Sequence, residues 1–255
     1  MYEKKCKACL SDYTVFVQNV IGNRTKNLYE QYVCLDCLSF FHESNYKEDS
    51  EQLQKDFAYL LSYRESHQSL MNRLFLELIT RAPHITRVCE IGHGSGMFMK
   101  AANDYGKTIV GYELNPILHE FVKNELKLDS RLEQFSVRKS DGFDLIASIM
   151  VFEHLISPRE LFSTMVSALN ADGVIYISVP FLSRSQWAYL KSASSTPNLT
   201  PPDPFYDNDV HINHFSVDGL RKLGVSLGAR EADYFISKDT FHKSPGSYHG
   251  ILFKF

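Results

Sequence analysis

The chain has 255 residues, 44% of them hydrophobic and 22% charged, with a formal net charge of −3. That is ordinary globular composition, enough for one large domain or for one plus a small module. It excludes a disordered chain; the apolar runs fall far short of the roughly 20 residues of a membrane span, and the negative balance argues against a nucleic-acid partner, because phosphate binding needs a basic face.

The N-terminal segment, residues 1–45, opens without the apolar stretch of a signal peptide, so a reducing, cytoplasmic location is expected. Cys6-Lys7-Ala8-Cys9 and Cys34-Leu35-Asp36-Cys37 are C-x-x-C pairs with 24 residues between them. Two such knuckles are the ligand set of a zinc ribbon, and β-rich runs at 13–17 and 28–33 around a Gly22-Asn23 turn agree with one. Two disulfides would need an oxidising compartment, and a thioredoxin-like pair would need a βαβ context that neither pair has. Cys6, Cys9, Cys34 and Cys37 are therefore assigned to a structural zinc, whose closed four-sulfur shell leaves no catalytic position. Basic and acidic residues balance in this segment, so it reads as a packing or substrate-contact module. Cys89 falls in an apolar strand and reads as core.

Residues 46–83 read as a helical linker or cap. Leu53, Phe57, Leu60, Leu61, Leu70, Leu74 and Leu78 recur at steps of three and four over 50–81, and Pro83 ends the run. From 84 to 255 the pattern alternates. Strands are expected at 86–91, 108–112, near 132–137, 143–149, 173–179, 230–236 and 249–254, with helices at 96–105, 115–127 and 158–170. Alternation of this kind implies a parallel sheet covered on both faces.

The densest signal is Glu90-Ile91-Gly92-His93-Gly94-Ser95-Gly96, between a strand and a helix. A dinucleotide fingerprint would need glycine at position 97, which is Met97. The pattern E-x-G-x-G-x-G instead resembles the first motif of class I S-adenosylmethionine-dependent methyltransferases. Glu113 ends the next strand, 17 residues after Gly96, where an acidic residue of a βαβ nucleoside site accepts ribose hydroxyls. Gly142–Ile146 running to Val151-Phe152-Glu153-His154-Leu155, the block Asn170–Pro180, and His211–Ser216 with Leu220 are similar to later blocks of the same group. The resemblance covers about 86–255. It implies an α/β fold with a seven-stranded Rossmann-like sheet, joined here to a small N-terminal zinc ribbon.

It also implies S-adenosylmethionine as cofactor, held by Glu90, Gly92, His93, Gly94, Gly96, Glu113, Leu114, Ile149 and Met150. Glu90 either braces the turn or meets the cofactor's amino group through water. His154, just past the fourth strand, is the expected base for an acceptor hydroxyl, against a reading in which it only packs beside Glu153. His211 and His214 are weaker bases, and with Asp207 and Asp209 they form a minor metal option. Residues 181–214, carrying Trp187, Tyr189, Phe205 and Tyr206, read as a lid insertion. The expected activity is methylation of a small molecule or glycan, on a sugar hydroxyl by preference. An RNA methyltransferase with a ribbon and a non-catalytic cofactor-binding adaptor are the alternatives. Charge weighs against the first, and the intact glycine turn against the second.

Overall fold

The computed structural model describes residues 4–137, 142–182, 207–238 and 247–255. They pack as two compact units: Met1–Lys47, Phe152–Phe162 and Val179–Gly228 form one, and Glu48–Val151, Ser163–Ser178 and Ala229–Phe255 form the other. These units run across the linear boundaries at 45/46 and 83/84. Of the insertion expected at 181–214, residues 183–206, with Trp187, Tyr189, Phe205 and Tyr206, lie outside the described ones.

The first unit holds strands β1 (Thr14–Ile21), β2 (Leu28–Cys34) and β3 (Phe40–Phe41). β1 and β2 form an antiparallel hairpin, β3 pairs with β2, and the outer edge of β3 takes a strand from far along the chain, β9 (Asn213–His214). A helix, α5 (Val217–Ser226), follows, capped by the Ser216 side chain, which accepts from the Gly219 N–H. One apolar cluster here joins Phe40 with Val17, Val33 and Leu182, and Tyr32, Phe41, Phe152, Phe162, Phe215 and Leu220 are buried as well.

The second unit begins with α1 (Ser50–Arg81), 32 residues that match the expected helix end to end. Asp49 caps it, accepting from the Gln52 N–H, and Leu70, Met71, Leu74, Phe75 and Leu78 make its buried stripe. Then come β4 (Arg87–Ile91), α2 (Met97–Asp104), β5 (Thr108–Glu113), α3 (Pro116–Asn124), β6 (Asp129–Leu132), β7 (Phe143–Ile149), β8 (Leu169–Ser178), β10 (Glu231–Lys238) and β11 (Ser247–Lys254). The seven strands order as β10-β11-β8-β7-β4-β5-β6. The five from β6 to β8 across the sheet are parallel, and β11 lies antiparallel between β8 and β10. This is the seven-stranded Rossmann-like sheet that the motifs implied. Its chain order reverses at β4, whose neighbours are β5 and β7, and there the carboxyl ends open a crevice.

Several bounds differ from expectation; β8, for one, starts at Leu169 rather than 173. The edge strand lies at 129–132 rather than 132–137. It pairs with β5 alone, and Phe135 beyond it turns in against the Tyr112 ring, with centroids 5.0 Å apart. Helix α4 (Pro158–Ser167) stops three residues before 170, because Leu169 already pairs with Phe143. Helix α3 ends at Asn124 rather than 127, and Lys127 takes a positive φ of 57°.

Asp144 fastens the start of this sheet. Its Oδ2 accepts from the Thr86 N–H at 2.9 Å, the Thr86 hydroxyl at 2.7 Å and the Arg87 N–H at 2.9 Å, while Oδ1 accepts from Asn170 at 2.7 Å. Burial pushes its carboxyl up, but these donors prevail and hold it at about 2. A depressed carboxyl stabilises the fold above its unfolded value near 4 and loses that contribution as pH falls toward 2. Asp144→Ala should therefore cost about 2–3 kcal/mol at pH 7, read by chemical denaturation, and less as pH falls toward 2. Equal stability at pH 7 would overturn this assignment.

Candidate functional site

The glycine turn after β4 needs its glycines. Gly92, Gly94 and Gly96 have φ of +71°, +54° and +74°, a region that side chains avoid. The turn is tied to the neighbouring strand, with the Gly92 and His93 N–H groups donating to the Tyr112 carbonyl at 2.8 and 3.3 Å. It closes into α2 as Gly96 N–H donates to the His93 carbonyl at 2.9 Å. A Cβ on Gly92 would meet Val151 Cγ2 at 2.5 Å, whereas one on Gly94 would have only Leu60 Cδ1, at 3.6 Å, within van der Waals range. The backbone at Gly94 is therefore an open cradle.

Glu113 reaches this turn. Its Oε2 accepts from the Gly94 N–H at 3.0 Å, and Oε1 accepts from Leu114 and Asn115 N–H at 2.8 and 2.9 Å. Glu90 is buried on β4, and its Oε2 has no hydrogen-bond partner among the described residues. Burial first, and then the charge of Glu113, push its carboxyl up, while the Met99 backbone N–H opposes them. His93 turns inward: Nδ1 meets the Gly94 carbonyl at 2.9 Å, so it carries the proton, and Nε2 takes the Ser130 hydroxyl at 2.7 Å. His119 Nδ1 meets the same hydroxyl at 2.8 Å. What His93 offers a ligand is thus backbone rather than imidazole.

Of the remaining expected residues, Leu114 is 68% exposed and Ile149 ends β7 partly buried. Met150 has a positive φ of 58°, with its N–H donating to the Ser178 carbonyl at 2.8 Å. A non-glycine residue held there costs about 1–3 kcal/mol, a strain that clusters at functional sites. Sequence reasoning missed Tyr59, Tyr63 and Tyr248. The Tyr59 and Tyr63 rings meet edge-on at 5.0 Å. Burial and then the Glu90 charge push the Tyr248 phenol up to about 12, and burial followed by the phenols of Tyr248 and Tyr59 raises Tyr63. The signal lies in the sequence: Tyr59 and Tyr63 stand four apart on α1, beside the stripe of Leu53, Phe57, Leu60 and Leu61.

In the first unit the four ribbon cysteines converge. Their sulfurs lie within 4.8 Å of one another, and all are free thiols. Cys6 approaches Cys37 at 3.7 Å and Cys9 approaches Cys34 at 3.4 Å. The two knuckles share one plan: Leu10 and Leu38 N–H donate to the Cys6 and Cys34 carbonyls, and Cys6 and Cys34 N–H donate to the Ser11 and Ser39 carbonyls. Leu10 and Leu38 both take positive φ, 64° and 59°. The repeat C-x-x-C-Leu-Ser spells this in the sequence. Burial raises the Cys9 thiol to about 12, while Cys6 lowers that of Cys37 to about 5 through their hydrogen bond. Four sulfurs this close become thiolates together only around a cation, and the set fits a tetrahedral ion.

A second cluster in this unit joins Glu153, His154 and His211, with one ligand atom of each within 4.8 Å of the others. His154 Nδ1 meets the Val210 carbonyl at 3.0 Å, so Nδ1 carries the proton, and Nε2 faces Glu153 Oε1 at 3.9 Å. The Glu153 carboxyl is buried, neither oxygen is hydrogen-bonded among the described residues, and burial raises it to about 8. The alternative grouping of Asp207, Asp209, His211 and His214 does not assemble. Asp209 spends its carboxylate on Arg24, Thr25 and Tyr29, Asp207 pairs with Arg24, and His214 is buried in β9.

The chain belongs to the family of methyltransferase domains, which matches residues 50–229. Among curated proteins none matches it significantly in sequence. Among solved structures it is similar to the plantazolicin methyltransferase BpumL in complex with SAH, at 14% identity over 81% of this chain and 91% of that one, with a TM-score of 0.56. A chain of the complex between the Haloferax volcanii Trm112 methyltransferase activator and the putative methyltransferase is similar over 79% of this chain and 96% of that one, at 13% identity and a TM-score of 0.58. A possible histamine N-methyltransferase from Thermotoga maritima matches over 78% and 98%, at 15% identity and a TM-score of 0.53. The protein is an S-adenosylmethionine-dependent methyltransferase. No helix among the described residues is long and apolar enough to cross a membrane.

The glycines make separable predictions. Gly92→Ala should cost about 1–3 kcal/mol of stability, because it adds a collision to an unfavourable φ. Gly94→Val should keep more of the stability yet abolish S-adenosylmethionine binding by filling the cradle. Melting curves and calorimetry read the two effects, and unchanged affinity in Gly94→Val would refute the cradle.

Proposed function

We propose that the protein methylates a hydroxyl of a small-molecule or glycan acceptor, a sugar hydroxyl by preference. Bound S-adenosylmethionine supplies an electrophilic methyl carbon on a sulfonium. The observation that carries the cofactor reading is the orphaned Oε2 of Glu90, buried on the strand that opens into three left-handed glycines. A buried carboxyl of this kind calls for a cationic partner, and an α-amino group answers it. The cradle at Gly94 accepts the chain of the ligand, and Glu113, already set against the turn, accepts ribose hydroxyls with its remaining lone pairs. Ile149 and Met150 border the cofactor, and Leu114 flanks its adenosine.

For the acceptor, His154 takes the hydroxyl proton on Nε2, the nitrogen left unprotonated by the Val210 contact. The net charge of −3 and the balanced charge of residues 1–45 support a neutral acceptor over a polyanionic RNA. In this reading residues 1–45 are a zinc ribbon on Cys6, Cys9, Cys34 and Cys37, 46–83 a helical cap, and 84–255 the methyltransferase domain with its insertion at 181–214.

Two measurements test it. Elemental analysis should give one zinc per chain, and Cys34→Ser should lose the metal and unfold the ribbon, since binding energy there is folding energy. Full-length folded protein without zinc would remove the ribbon reading. His154→Ala should lower turnover roughly 10²-fold while cofactor affinity stays near normal. Retained turnover would move the base elsewhere. Turnover that requires an added divalent cation would make Glu153, His154 and His211 its ligands instead.

A further inference from the structure

The segment that carries His211 is bound to the ribbon at three places. First, Asp209 serves the hairpin turn between β1 and β2. Its Oδ2 accepts from the Arg24 and Thr25 N–H groups at 2.6 and 3.0 Å, and its Oδ1 from the Thr25 hydroxyl at 2.6 Å and the Tyr29 hydroxyl at 2.7 Å. The fit is close enough that a Cβ on Gly22 would collide with this carboxylate. Arg24 Nε also donates to Asp207 at 2.6 Å, and Asn208 Nδ2 to the Ile21 carbonyl at 3.0 Å. Second, β3 pairs with β9, Phe40 opposite His214 and Phe41 opposite Asn213. Third, the second knuckle meets the start of α5. The Ser216 hydroxyl donates to the Cys37 carbonyl, and the Ser216 N–H donates to the Ser39 hydroxyl at 3.1 Å.

The same segment sets the turn that carries His154. Asn213 Nδ2 donates to the Phe152 carbonyl at 3.2 Å and to the Leu155 carbonyl at 2.7 Å, bracketing Glu153 and His154. The Val210 carbonyl accepts from His154 Nδ1. So the hairpin fixes 207–209, β3 fixes 213–214, and between them Val210 and Asn213 fix the ring and the backbone of His154. An isolated surface turn would not hold an imidazole in one tautomer and one orientation.

We propose that the four-cysteine ribbon is a positioning device for His154, acting through residues 207–214, with Asp209 as its principal latch. This rests on the reading of His154 as the proton acceptor and adds the reason the chain carries a ribbon. Asp209 touches no reacting atom. Its carboxylate is all acceptor, matched to four donors. An amide in its place turns one end into a donor facing donors.

The test compares Asp209→Asn, Arg24→Ala and His154→Ala in the full-length, zinc-loaded protein. Asp209→Asn should keep its zinc and its S-adenosylmethionine affinity, yet lose roughly ten- to a hundred-fold in kcat, with a smaller change in the acceptor KM. The His154 ring resonance in a histidine-labelled sample should shift or broaden. Arg24→Ala, a gentler cut, should move both readouts the same way by less. Leu28→Ala, on the exposed side of the hairpin, should change neither. If Asp209→Asn keeps full kcat and an unmoved His154 resonance while His154→Ala is inactive, the latch is overturned and the base reading stands. If His154→Ala is itself active, the base reading fails, and the inference with it. A loss of zinc or of fold in Asp209→Asn with normal kcat and resonance in Arg24→Ala would make the contact merely structural and also overturn it.

Discussion

The carboxylate of Glu113 holds together the carboxyl edge of the large sheet. Two loops, one leaving β4 and one leaving β5, each expose backbone N–H groups that no strand or helix satisfies. One side chain accepts from both, taking Gly94 from the first and Leu114 and Asn115 from the second. Charged acceptors make hydrogen bonds about twice as strong as neutral ones, so this clasp fixes the turn before any ligand arrives. It also sets the electrostatics beside it. The Glu113 charge adds to burial in pushing the Glu90 carboxyl up, and an arriving cation would oppose both. A site so arranged favours a ligand that brings positive charge to Glu90 and hydroxyls to Glu113.

The first unit uses the same device. Asp209 gathers two backbone N–H groups and two hydroxyls of the ribbon, as Glu113 gathers the N–H groups of two turns. Neither carboxylate closes a salt bridge as its main work. Each substitutes for a hydrogen-bonded element in a place where the chain is too irregular to form one. In the first unit these bonds join the knuckles, the hairpin turn and the two short strand pairs to one segment of chain.

How much of this could be read from the sequence follows from the range of each interaction. The alternation of strands and helices after 84 gave the sheet, because apolar period is local. Spacing alone implied the glycine turn, the offset of Glu113 and the cysteine pairs. Strands β3 and β9 have two residues each, too few to show a period, and their partners lie more than 170 residues apart. Asp207 and Asp209 read as part of a minor metal option, since nothing nearby shows that their donors sit in a hairpin some 180 residues earlier. His93 read as part of a ligand site because its position in the motif is legible, whereas its hydrogen bond to Ser130 is made only by the packing of β5 against β6.

Glu153 and His154 show how such packing becomes chemistry. The Val210 carbonyl can only accept, so it fixes the proton of His154 on Nδ1 and leaves Nε2 basic. Glu153, buried without a donor, is raised to about 8 and carries its proton at neutral pH. The neighbouring groups thus start with opposite roles, a basic nitrogen and a neutral acid 3.9 Å apart. A proton arriving at Nε2 makes an imidazolium, which favours ionisation of the adjacent acid. The setting of the ring by its neighbours therefore decides which nitrogen Glu153 meets: turning it would take Nδ1–H from the Val210 carbonyl, leave that carbonyl without its donor and aim Nε2 away from Glu153.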